Sequence, residues 1–286
     1  MRYESPESIE SAVALLADGT GDCRVLSGGT DLLVQLRAGV VNPDLVVDIK
    51  NIREAREISA ENGGYRVGAA VSGAELGEHP SLKNAWPGVV EAAELIGSTQ
   101  IQGRASIGGN LCNASPAADS VPALIAAAAV CTVAGPGGRR EVAVEEICTG
   151  PGQTSLAKGE FVVSFMFPER IPRSGDAYLR FIPRTEMDIA VVGAGVNLSL
   201  DESGVCTAAR VALGAVAPKA MLVPAAGEAL VGTRLDDADL EAMATAASAA
   251  CNPIDDKRGT VEYRVKVAGV LARRACGIAL ERARIN

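Results

Sequence analysis

The chain has 286 residues, 48% of them hydrophobic and 3% aromatic, and its 27 basic against 35 acidic residues leave a net charge of -8. That length is enough to bury a sizeable core and suits two domains, or one with an appendix. Scarce aromatics and an acidic balance exclude a base-stacking surface and disfavour binding to DNA or anionic lipid.

The opening stretch, MRYESPESIE, carries acids and a proline where a secretory signal needs a basic and then an apolar segment, so the expected location is the cytoplasm. Ile9, Val13 and Leu16 recur at helical spacing, with Pro6 in a first turn after the cap candidate Ser5. A helix is therefore expected to open the protein. CRVLSGG reads as a short strand ending in glycines, TDLLVQLRAG as a helix closed by Gly39, and DLVVDI as a second buried strand, together a small βαβ-like unit. Residues 56–72 alternate around Asn62-Gly63-Gly64, a strong hairpin signal. His79, the single histidine, sits beside Pro80 and reads as a solvated loop residue, which leaves no histidine-rich metal site and no Ser-His-Asp catalysis.

Helices follow at AWPGVVEAAELIG and SVPALIAAAAV, then a hairpin turning through Pro136-Gly137-Gly138 and a strand GEFVVSFMFP. The apolar run from residue 120 is broken by Pro122 and is shorter than the roughly 20 residues a bilayer span needs. RIPRSGD is the best linker, which places a domain boundary near residue 172. Beyond it come AYLRFIPR, the strands DIAVVGAGVNLSL and VCTAARVALGAV, and two helices ending the chain. Gly193 and Gly195 lie in a strand rather than before a helix, so they mark close packing and not a dinucleotide fingerprint. Arg264, Lys266, Arg273, Arg274, Arg282 and Arg284 on the last helix read as a solvated face. The seven cysteines are scattered without metal or iron-sulfur spacing and read as reduced, mostly buried thiols.

Two stretches carry the chemistry. In LSGGTDLL, residues 26–33, paired glycines let a backbone approach a ligand closely, and the amides opening the next helix favour an anionic phosphate. SIGGNLCNASPAAD, residues 106–119, crowds Ser106, Asn110, Asn113 and Ser115 around Gly108 and Gly109, with Asp119 or Ser120 placed to cap the following helix. The question they raise is whether two distant glycine turns close on one ligand.

With these motifs, together with YLRFIPRTEMDIA (178–190) and DDKRGTVEYRVKVAGVLARRA (255–275), the chain resembles the FAD-binding medium subunit of the molybdenum hydroxylases, the family of xanthine dehydrogenase and carbon monoxide dehydrogenase. The resemblance implies an α+β fold: a two-subdomain FAD-binding domain of the vanillyl-alcohol-oxidase (PCMH) type over residues 1–172, with subdomains of about 1–55 and 56–172, and a small α+β C-terminal flavoprotein domain over 173–286. By position it assigns Val25, Leu26, Ser27, Gly28, Gly29, Thr30, Asp31 and Leu32, and Ser106, Ile107, Gly108, Gly109 and Asn110, to the segments holding the cofactor. Asp119 becomes a polar contact beside them, Arg180 a cation near the flavin in place of the family's common lysine, and Ile96 and Ile189 apolar neighbours, Ile189 standing where many relatives carry an aromatic. With no cysteine or histidine in a recognisable attachment motif, FAD is expected to be held noncovalently. Partners would be a molybdopterin-binding large subunit and a small subunit with two [2Fe-2S] clusters, and the external acceptor NAD or a quinone. Two other readings are an autonomous flavin oxidase, which needs a substrate-side base, and a noncatalytic assembly subunit without flavin.

Overall fold

A computed structural model describes residues 1–184 and 186–286; Thr185, inside the 178–190 motif, lies outside the described residues. The first element is a strand and not the expected helix. β1 (Arg2–Glu4) pairs in parallel with β3 (Leu45–Asp48), whose other edge takes β2 (Cys23–Leu26). Three residues carry too little pattern to announce a strand; what secures β1 is remote, namely the ladder and a hydrogen bond from Tyr3 Oη to Asp48 Oδ2 of 2.7 Å. α1 (Ile9–Asp18) follows it and buries Ile9, Ala12 and Leu16. Its cap is Ser8 rather than Ser5, since Ser8 Oγ accepts from the amide of Ser11. Between β2 and β3 runs α2 (Leu32–Arg37).

A five-stranded antiparallel sheet follows, in the order β4 (Ile58–Glu61), β5 (Gly64–Gly68), β10 (Phe161–Phe167), β6 (Val130–Gly135), β7 (Gly138–Ala143). The turn between β4 and β5 has positive φ at both Asn62 (50°) and Gly63 (77°), the backbone twist a two-residue hairpin requires. A short ribbon, β8 (Cys148–Gly150) with β9 (Gln153–Thr154), stands apart. Helices α3 (Gly73–Gly77), α4 (Pro80–Ala85), α5 (Pro87–Glu94), α6 (Thr99–Gln102), α7 (Ile107–Cys112), α8 (Ser120–Ala126) and α9 (Val144–Ile147) fill the connections. They join β10 in one core containing Trp86, Leu111, Leu124, Phe161 and Phe165. His79 is not a free loop residue: its Nδ1 accepts from the amide of Leu82 at 3.1 Å and caps α4.

The last third forms an antiparallel sheet β11 (Ser174–Phe181), β12 (Val192–Leu200), β13 (Cys206–Gly214), β14 (Met221–Leu222), with α10 (Pro224–Glu228), α11 (Asp237–Ala249) and the long α12 (Val261–Ile285) packed on it around a second core. The close packing expected at Gly193 and Gly195 is present. A Cβ at Gly193 would lie 2.7 Å from Tyr178 Oη, and one at Gly195 2.6 Å from Pro122 O on α8. The solvated reading of the arginines on α12 fails for Arg264, which is 3% exposed and donates to Val191 O (2.8 Å), Ala215 O (3.1 Å) and Asp256 Oδ1 (2.8 Å). Helical spacing locates its face correctly, but the loops that cover that face come from elsewhere in the chain. All seven cysteines are free thiols. No helix among the described residues is long and apolar enough to cross a membrane.

Candidate functional site

β2 ends at Leu26, and the chain turns through Ser27–Asp31 into α2, with Gly29 at a φ of 83° that side chains rarely adopt. The second glycine stretch opens α7, where Ser106 Oγ accepts from the amide of Gly109 at 3.1 Å. These two turns, 79 residues apart, touch: Ser27 Oγ and Ser106 Oγ are 2.7 Å apart, and Ser27 Oγ also donates to Ala69 O at 3.1 Å. The contact requires bare backbone. A Cβ at Gly28 would stand 2.0 Å from Arg104 O, and one at Gly108 2.3 Å from Ala69 O. Gly109 differs, since its Cβ would meet nothing closer than Ser106 Oγ at 3.2 Å, with Ser27 Cβ at 3.8 Å and the Gly28 nitrogen at 4.0 Å.

The paired turns form one wall of a cleft of about 450 Å³. Val25, Ser27 to Leu32, Ile96, Ser106, Gly108, Gly109 and Asn110 line it, and Thr154 and Leu156 to Val162 close the side toward the five-stranded sheet. Among the described residues, the amides of Gly28, Gly29, Thr30, Asp31 and Gly108 donate to no protein acceptor. A concentration of unpaired amides beside two helix N-termini is an electropositive surface made without a basic side chain. Lys50 adds a cation behind the first turn: its Nζ donates to Ser27 O at 3.0 Å while paired with Asp48 at 2.8 Å. Asp31, at the mouth of α2, has its carboxyl raised by burial.

The remaining expected residues stand off the lining. Leu26 and Ile107 are buried. Ile189 is 51% exposed on the loop before β12. Asp119 and Arg180 are joined to each other, Arg180 Nη1 donating to Asp119 Oδ2 at 3.0 Å. Burial pushes the Asp119 carboxyl up to about 6, outweighing the opposing pull of Arg180 and Tyr178. Nor does Asp119 cap α8 with its side chain; the amide of Ser120 donates instead to Asn110 Oδ1 at 3.0 Å. Sequence reasoning missed Lys50, Ala69 and the 154–162 segment. A lysine directly after a buried strand beside a glycine turn was a signal available for the first, and none exists for the others, which reach the cleft only through sheet pairing.

A flavin- or nucleotide-sized cleft walled by paired glycine turns defines a cofactor-binding protein built on an α+β scaffold. Residues 1–170 match the FAD binding domain in molybdopterin dehydrogenase, and residues 177–279 the CO dehydrogenase flavoprotein C-terminal domain. The carbon monoxide dehydrogenase medium chain of Hydrogenophaga pseudoflava is 32% identical over 98% of this chain and 97% of its own. The xanthine dehydrogenase FAD-binding subunit of Escherichia coli is 31% identical over 95% and 93%. Among solved structures, a chain of the reconstituted CO dehydrogenase from Oligotropha carboxidovorans superposes with a TM-score of 0.94 at 33% identity, covering 99% of this chain and 98% of that one. This chain therefore belongs to the family of FAD-binding medium subunits of the molybdenum hydroxylases, an FAD-binding domain followed by the flavoprotein C-terminal domain.

Proposed function

We propose that the chain holds FAD noncovalently across the cleft and, in a complex with a molybdopterin-binding large subunit and a [2Fe-2S] small subunit, lets electrons from the clusters pass to an external acceptor such as NAD or a quinone. The observation that carries this reading is the pair of glycine turns with five unpaired amides. A pyrophosphate needs several N–H donors converging without intervening side chains, and the turns supply them while Ser27 and Ser106 tie the two together. Lys50 donates to the carbonyl of Ser27, and the cation lessens the repulsion that oxygen would offer an anion. Asn110 and the hydroxyl of Thr30 are placed along the lining for a polyhydroxyl chain, and Val25, Leu32 and Ile96 offer apolar surface for ring systems. When bound, FAD supplies the redox chemistry, accepting electrons singly or in pairs; the chain's own task is to bind, orient and shield it. Cys23 and Cys112 also line the cleft, but burial pushes the Cys112 thiol up to about 12, so it stays protonated and a poor nucleophile.

The test compares the purified full chain with the complex reconstituted from all three subunits, anaerobically and with candidate substrate. The chain alone should be yellow, accept electrons from dithionite and leave substrate untouched, whereas substrate should bleach the flavin in the complex. A colourless chain that takes up no FAD would overturn the binding; bleaching by substrate in the metal-free chain would overturn the relay.

A further inference from the structure

Two walls of the cleft are gripped from behind by one buried arginine of the C-terminal sheet. Arg180 on β11 donates through Nη1 both to Asp119 Oδ2 at 3.0 Å and to Leu95 O at 2.8 Å. The side chains of the ion pair are only 5% and 12% exposed. Leu95 ends α5 and is followed directly by Ile96, which lines the cleft. Asp119 is followed by Ser120, whose amide and hydroxyl both donate to Asn110 Oδ1, at 3.0 and 2.7 Å, and Asn110 lines the cleft as well. Tyr178, also on β11, brings its hydroxyl to 3.4 Å from Asp119 Oδ1.

We propose that Arg180 is a positioning residue for FAD: by bridging Leu95 O and the Asp119 carboxylate it holds Ile96 and Asn110 in one relative placement, and the cleft keeps its FAD-binding shape only while that ion pair is intact. This rests on the FAD reading above and adds to it that Arg180 acts on the cleft wall, through its bonds to Leu95 O and the Asp119 carboxylate. The geometry explains why a guanidinium suits the place. Its planar head is fixed by two acceptors on segments 24 residues apart in sequence, which a lysine ammonium can approach only as a point charge. Removing the cation leaves a buried carboxylate uncompensated, and that carboxylate then protonates or draws in water, shifting Ser120 and with it Asn110.

Protonating Asp119 should have the same effect as removing Arg180. With its carboxyl pushed up to about 6, the pair is intact above that pH and is lost as pH falls through it, so FAD affinity falls in the same direction. The groups facing Asp119 are Arg180 and Tyr178 from β11, the Tyr178 hydroxyl being held neutral well above its usual range by burial. Past them stand Glu91 of α5 with its partner Arg282 of α12, and Asp176 with Arg170. Burial also raises Asp176 to about 6, so the assignment needs a variant that removes only the first carboxylate.

The experiment is an FAD titration of the full-length apo chain from pH 5 to 8, for wild type, Asp119→Asn and Arg180→Lys. Wild type should lose about tenfold in affinity between pH 7 and pH 5, the slope of one linked proton. Asp119→Asn should be flat over that range, and Arg180→Lys weaker by about tenfold at pH 7.5, the scale of one charge-assisted hydrogen bond, with the apo melting temperature and Trp86 emission unchanged. A pH-independent wild-type affinity, or a wild-type profile retained in Asp119→Asn, overturns the inference while leaving FAD binding in place. No FAD uptake at any pH would overturn the function reading itself. The wild-type and Asp119→Asn profiles decide the matter even if Arg180→Lys does not fold.

Discussion

Among the glycines of the two turns, Gly109 separates ligand from fold, and Gly109→Ala should weaken FAD while leaving the apo protein as stable as before. The new methyl would meet Ser106 Oγ at 3.2 Å, which a shift of a few tenths of an ångström relieves, and would otherwise sit 3.8 Å from Ser27 Cβ and 4.0 Å from the Gly28 nitrogen. Replacing a helical glycine by alanine favours the helix by roughly 0.5–1 kcal/mol, offsetting that adjustment. The apo melting temperature should thus move by no more than about 4 °C. For a phosphate the result is different. Its oxygen must come within about 2.9 Å of an amide nitrogen, and the methyl occupies the gap between the turns through which the Gly28 amide is reached. Losing two charge-assisted hydrogen bonds at about 1.5 kcal/mol each gives about 3 kcal/mol, or about a hundredfold in dissociation constant. Flavin fluorescence titration measures the affinity and calorimetry of the apo chain the stability. Gly28→Ala and Gly108→Ala are the contrast: their Cβ atoms would lie 2.0 and 2.3 Å from backbone oxygens, so both should lose stability outright. Wild-type FAD affinity in a folded Gly109→Ala chain would refute the cradle.

FAD should be released by acid, leaving a yellow supernatant and a denatured chain of unmodified mass; a flavin-sized mass increase would contradict noncovalent binding. Free FAD at a hundred times its dissociation constant should raise the stability by about 2.7 kcal/mol, seen as a higher melting temperature that Gly109→Ala does not share. Arg170 lies 4.3 Å over the ring of Trp86, the single tryptophan, and pairs with the buried Asp176 at 3.1 Å. Arg170→Ala should therefore cost about 3 kcal/mol and shift the intrinsic emission; unaltered denaturant midpoint and spectrum would show the pair to be idle. Lys50 and Tyr3 hold the Asp48 carboxyl below its usual range despite burial. Its contribution is present above the ordinary aspartate pKa and is lost as pH falls through the lowered one, so Asp48→Asn should flatten the acid limb of the stability profile.

Much of the architecture was legible in the sequence. The alternation on either side of Asn62-Gly63 specifies a hairpin because only positive φ at both turn positions matches the strands' twist. The strand-to-helix position of Gly28 and Gly29 follows from the apolar run before them and the helical spacing after. What local pattern could not carry was anything with a distant partner. β1 is three residues secured by β3 and Asp48, and the cap of α1 falls on Ser8, which local preference does not distinguish from Ser5.

The same division runs through the site. By itself the sequence determined which backbone segments are bare enough to admit a phosphate, since missing side chains are a local property: Gly28, Gly29, Gly108 and Gly109 can be read one residue at a time. Only the tertiary structure decided that the two turns meet, because the 2.7 Å contact of Ser27 with Ser106 depends on how β5, α7 and the three-stranded sheet pack around Ala69. It also decided that Gly28 and Gly108 are bare for the sake of neighbouring backbone carbonyls, whereas a Cβ at Gly109 would press only on the Ser106 hydroxyl at 3.2 Å. The buried charges show the rule most clearly. Arg264 looks like a surface cation in a linear reading, yet it, like Arg180, is enclosed with a carbonyl oxygen and a carboxylate from other segments. A charge may be buried only where partners converge on it, and convergence is a property of the folded chain.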